Sequence, residues 1–124
     1  MSWQRLYANP VPVTWVKQGN KLVCGLCYEW AYRDVQDHGG VLVQGTVTEP
    51  LSSPPSKYLH AWVERGGKVY DWQTMVQGQG GKFRGRGFPR KIFYELFQPE
   101  RMKRYDDEQA MIALVRHRHY GPWE

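Results

Sequence analysis

The stretch KYLHAWVERGGKVYDW, Lys57 to Trp72, decides how the middle of this chain folds. Tyr58, His60, Trp62 and Glu64 alternate with Leu59, Ala61 and Val63, which is the two-residue period of a strand. Arg65-Gly66-Gly67 is a turn signal and KVYDW follows it, so the stretch reads as a β-hairpin. If the turn pairs Glu64 with Val69, or slips by two to pair it with Gly67, His60 and Asp71 share one face, diagonal or directly opposite. A slip of one residue separates them. The hairpin is expected to bring a histidine and a carboxylate within reach on a rigid element, with Trp62 beside them as a wall and Glu64 at an exposed strand end.

Upstream, VCGLCYEW (Val23 to Trp30) holds both cysteines of the chain in a C-x-x-C spacing. Leu22, Val23, Leu26, Cys27, Trp30, Ala31 and Val35 recur at three- and four-residue intervals, which predicts an amphipathic helix from about Leu22 to Asp37, closed by His38-Gly39-Gly40. Residues 8–20 read as an extended lead-in ending in a turn, VLVQGTV (Val41 to Val47) as a strand, and TEPLSSPPS as a loop. Three chemistries use a C-x-x-C at such a place. A thioredoxin-like redox site needs a core strand before the helix, and KQGNKLV is a poor one. Zinc needs two more ligands; His117 with His119, or His60 with His38, are the candidates, and the HRH spacing is too short, so no metal is expected. A nucleophilic cysteine needs only a helix start that favours its thiolate, a histidine to move the proton, and a carboxylate to hold the imidazole.

Downstream, QGQGGKFRGRGFPRK (Gln77 to Lys91) is a glycine-rich basic loop. Lys82, Arg84, Arg86 and Arg90 are interleaved with Phe83 and Phe88, a pattern that tracks phosphates while rings stack on bases. A short helix is expected over Pro89 to Phe97. Another should begin at Asp106 or Asp107 with Ala110, Met111, Leu114 and Val115 facing inward, followed by HRHYGPWE as an aromatic anchor. At 124 residues the expectation is one domain over 1–124. Seventeen Lys and Arg against twelve Asp and Glu leave a net charge of +5, which favours an acidic partner. The first fifteen residues lack the build of a secretory signal and no apolar run reaches membrane-spanning length. The reading is cytoplasmic, without a membrane partner, where a structural disulfide is not expected.

GLCYEWAYRDV, then VLVQGTV, HAWVE and VYDW, resembles the transglutaminase-like branch of the papain-like superfamily. The chain is also similar to short phage and bacterial proteins with a C-Y-E-x-A helix, a G-H-A-W-V-E strand and a terminal H-[YF]-G-P-W, seen here as CYEWA at 27–31, HAWVE at 60–64 and HYGPW at 119–123. The resemblance implies an α+β fold: a nucleophile helix packed on a small antiparallel sheet of three to four strands, a papain-like or transglutaminase-like core completed by C-terminal helices. It makes Cys27 the nucleophile, His60 the base and Asp71 the orienting acid, with Cys24 a bystander. Gln44 is either an oxyanion donor or a solvent-facing strand residue, and Trp62 and Trp72 border the substrate. The activity implied is hydrolysis or acyl transfer on a protein, peptide or small amide or ester, without a cofactor, in the host cytoplasm if the chain is phage-encoded. The competing expectation is a catalytically silent module of the same fold that engages nucleic acid or a host protein through its basic C-terminal half.

Overall fold

The computed structural model describes residues 16–18, 21–23, 25–49 and 53–123. Most of the lead-in, Cys24 and the loop centre at 50–52 lie outside the described residues. In chain order the elements are β1 (Val16–Gln18), β2 (Lys21–Val23), α1 (Gly25–His38), β3 (Val41–Glu49), β4 (Ser56–Arg65), β5 (Lys68–Tyr70), β6 (Phe88–Pro89), α2 (Arg90–Phe97), β7 (Glu100–Tyr105) and α3 (Asp107–His117).

β3 and β4 form the spine, antiparallel from Val41↔Glu64 to Glu49↔Ser56. β3 is rich in β-branched residues, which suit a pleat covered on both sides. Gly66 and Gly67 both take positive φ, +60° and +75°, the requirement of a two-residue type I′ hairpin turn. That turn sets Arg65↔Lys68 and Glu64↔Val69, so His60 lies diagonal to Asp71 on one face.

The seven strands run β1-β2-β4-β3-β7, with β5 on β4 and β6 on β5. This sheet is larger than the three to four strands expected, and it is not wholly antiparallel, because β2 meets β4 in parallel at Val23↔Leu59. Leu22 and Val23 belong to that strand rather than to the helix. β7, ERMKRY, had no sequence signal: on the sheet edge it is mostly exposed and carries charge where a central strand carries apolar residues.

Helices cover both faces. Tyr28, Ala31 and Val35 of α1 pack with Leu42, Ala61 and Val63 on one face, joined by Ala110 of α3 and by Trp123. On the other, Val43, Val47 and Trp62 meet Val69 of β5, Phe88 of β6 and Phe93 of α2. α3 starts at a capping box, in which Asp106 accepts from the Gln109 N–H and the Gln109 side chain accepts from the Asp106 N–H. Its inward face is Ala110, Ala113 and Leu114; Met111 and Val115, expected inward, are exposed, because α3 meets the sheet along a narrow stripe. The result is an α+β architecture. No described helix is long and apolar enough to cross a membrane.

Candidate active site

β4 shares its outer edge between two neighbours. β2 meets it at Leu59 and β5 takes over from Val63 to Arg65, which leaves the backbone at His60 to Trp62 without a described ladder partner on that side. α1 begins two residues after β2, and the chain leaving β5 passes through Asp71 and Trp72. Leu26 and Cys27, in the first turn of α1, pack there on Trp72, with Trp30 and Val76 around them.

His60 is 1% exposed and Asp71 2%, and Nε2 of the imidazole lies 3.0 Å from Asp71 Oδ2. Asp71 Oδ1 accepts the Thr74 N–H at 2.9 Å, so one oxygen serves the backbone and the other the histidine. Burial by itself raises the Asp71 pKa, but the hydrogen bond and charge of His60, with the bonds from Thr74, hold the carboxyl below its usual range. The imidazole sits between two rings of its own strand face, Tyr58 at 5.6 Å and Trp62 at 5.8 Å. Burial and the charges of Glu49 and Asp71 push the Tyr58 phenol up, so it stays neutral. The remaining imidazole nitrogen, Nδ1, is buried with no hydrogen-bond partner among the described residues, and so is the Trp72 indole Nε1.

Cys27 has no exposed surface and is in disulfide form, and no described thiol is free. The one other cysteine of the chain is Cys24, outside the described residues. A disulfide was not expected. Yet C-x-x-C across a helix start is a spacing that closes readily, whatever else the site does.

The other candidates are placed differently. Gln44 is neither solvent-facing nor an available oxyanion donor: it is 4% exposed, its Nε2 donates to Tyr120 O at 3.1 Å and its Oε1 accepts the Trp123 N–H at 2.9 Å. Gln44 pairs with Ala61, putting it on the face away from His60. Trp62 is fully buried and Trp72 is 2% exposed, so neither offers an open wall. Glu64 is no exposed strand end. It is 9% exposed and accepts from Trp62 Nε1 (3.0 Å), Tyr94 Oη (2.6 Å), Arg90 Nε (2.9 Å) and Arg104 Nη1 (3.0 Å). Arg90 is thus tied to an acid. Lys82, Arg84 and Arg86 stay exposed, while Phe88 is 4% exposed and packs against Phe83 at 5.1 Å, which removes it as a base-stacking ring.

Sequence reasoning missed Thr74 and the Glu64 cluster. An acidic residue three positions before Thr74 is a local capping pattern and was legible; the donors to Glu64 come from three separate elements and were not. Among the described residues no group of three or more His, Cys, Asp or Glu is placed to hold a metal. No protein-family model, curated protein or solved structure matches the chain.

Proposed function

We propose that the reduced chain carries out thiol-dependent acyl chemistry with Cys27 as nucleophile, on a papain-like or transglutaminase-like core. The carrying observation is the buried His60–Asp71 pair, whose Nδ1 has no partner among the described residues, next in the chain to Trp72, on which Cys27 from the first turn of α1 packs. An unpaired buried polar atom costs about 1–3 kcal/mol, and here the uncommitted atom is a base. With Nε2–H donating to Asp71, Nδ1 is free to take the thiol proton.

Reduction of the Cys27 disulfide by two thiol equivalents comes first, with local opening around Leu26, Trp72 and Val76. Sulfur then bonds to the carbonyl carbon of an amide or ester. The Cys27 N–H, at a helix start where backbone donors lack intrahelical acceptors, and the Trp72 indole N–H hold the oxyanion, a task Gln44 cannot take. His60 returns its proton to the departing amine or alcohol as the carbon–nitrogen or carbon–oxygen bond breaks. Water or a second amine releases the acyl group from sulfur and restores the thiol.

The silent-module reading keeps one observation on its side, since Lys82, Arg84 and Arg86 have no ion pair among the described residues. A brief iodoacetamide pulse at pH 6 on the reduced protein separates the two readings. Peptide mapping by mass spectrometry should find Cys27 labelled before Cys24, and more slowly in His60→Ala, because an unperturbed thiol with pKa ~8.5 is almost wholly protonated there. Labelling of Cys24 first indicates a redox C-x-x-C instead. Labelling of neither until the chain unfolds ends the enzyme reading.

A further inference from the structure

Asp71 has a second side. Beyond the carboxylate that orients His60 opens a cleft of about 810 Å³, within the size range of ligand sites. Its buried part is Asp71, Thr74 and Phe88. Phe83, Leu96 and Phe97 make an apolar wall, and Leu96 lies 45% exposed although it is a large aliphatic side chain. Gln79 and Gln73 line the same space with amides that can both donate and accept, and the Gln73 side chain already bonds the Tyr58 hydroxyl with part of that capacity.

The charges decide what kind of molecule fits. Asp71 is already satisfied by His60 and Thr74. Of the other lining residues, one is acidic, Glu49, and one basic, Lys82, whose ammonium lies 5.2 Å from the Phe83 ring centroid. No arginine lines the cleft, so a phosphate-bearing ligand would find two carboxylates and a single cation there. An uncharged occupant is not penalised. The apolar wall takes one ring or branched chain, the remaining volume takes the amides beside it, and the two glutamines can bond those amides.

The geometry points to this cleft, whose wall shares Asp71 with the His60 pair, as the binding site for an uncharged peptide segment bearing an aromatic or large aliphatic residue. This names the substrate class for the acyl chemistry proposed above and rests on that reading for its catalytic meaning. Binding itself is testable without turnover, because the disulfide form cannot acylate.

N-acetyl-phenylalaninamide and N-acetyl-glycinamide are titrated into the oxidised wild-type protein and followed by amide NMR shifts. The phenylalanine compound should move the signals of Gly80, Gly81 and the Gln79 side chain and bind at least about tenfold more tightly than the glycine compound, the scale of a filled apolar pocket. Leu96→Glu should weaken it by about tenfold. Val115→Glu, at an apolar residue 72% exposed on α3 and away from the cleft, should leave it unchanged. Equal binding of the two amides, shifts elsewhere, or indifference to Leu96→Glu overturns the assignment. Selective binding with no Cys27 acylation after reduction would leave the cleft standing and remove the catalytic reading; acylation indifferent to the side chain would do the reverse.

Discussion

His60 has two ring nitrogens, and among the described residues only one of them has a partner. Nε2 is spent on Asp71 and the ring is held between Tyr58 and Trp62, so the imidazole cannot turn to satisfy Nδ1. The Trp72 indole N–H has the opposite polarity and is equally unpaired. If it serves the oxyanion, Trp72→Phe should lower the burst of p-nitrophenol from p-nitrophenyl acetate by about 10²-fold in the reduced protein. Alkylation of Cys27 at pH 6 forms no oxyanion and should be unchanged. Stability should fall by about 1–3 kcal/mol, since the phenyl ring leaves part of the buried indole volume empty and loss of an unpartnered donor offsets only some of that cost. A parallel fall in alkylation and in unfolding midpoint would reduce Trp72 to packing.

Between elements, the C-terminal segment acts as a clasp over β3. Trp123 is 2% exposed, packs at 5.0 Å on Tyr105, donates from its indole to His119 O at 2.7 Å and is bonded through its backbone to Gln44. Gly121 takes φ +124°, and a Cβ there would run into the Gln44 amide and lie 2.7 Å from the Tyr28 ring. The close approach requires glycine. Gln44→Ala should cost about 1–3 kcal/mol in urea unfolding, because it strands the Tyr120 carbonyl and the Trp123 N–H together. The p-nitrophenol burst from p-nitrophenyl acetate in the reduced, folded protein should be unaltered. A large loss of reactivity without a loss of stability would return Gln44 to the chemistry.

Across the whole molecule, Glu64 ties β4, α2 and β7 together on the face that carries His60. Burial raises its pKa, but hydrogen bonds from Tyr94, Trp62 and Arg104, and the charge of Arg104, leave it below the ordinary value, as the bonds to Asp71 do there. Both carboxyls titrate lower in the folded chain than in the unfolded one, where pKa values are about 4.3 for Glu and 3.9 for Asp. Their contribution is therefore complete above those values and is lost as pH falls through the folded ones. Urea unfolding between pH 3 and 7 should show a steep loss of stability below about pH 4. Glu64→Gln should be less stable at pH 7 by about 1–3 kcal/mol and flatter in that acid window, leaving the Asp71 share of the slope. A wild-type slope that Glu64→Gln leaves intact would show that the acid sensitivity lies elsewhere.

The sequence alone determined what is local. The two-residue alternation around His60, the Gly66-Gly67 turn that needs two positive φ values, and the helical period after Cys27 follow from backbone sterics and from which side chains avoid water, so the hairpin, the shared face of His60 and Asp71 and the α+β class were legible, while the choice of Glu64↔Val69 over Glu64↔Gly67 was made only in the folded chain. The anchor role of HYGPW was legible too, because rings flanking a Gly-Pro turn have little other use. What depended on distant partners was not. Gln44 looks like a free donor until a tail some eighty residues later binds it, Glu64 looks solvent-facing until α2 and β7 close over it, and Phe88 looks available until Phe83 and Phe93 cover it. Hydrogen-bond satisfaction and burial are properties of the assembled molecule, and a strand pattern records only which face a residue takes. The tertiary structure likewise decided that Cys27 packs on Trp72, the residue after Asp71, since the meeting of a helix start with the chain leaving a distant strand is set by how the elements pack.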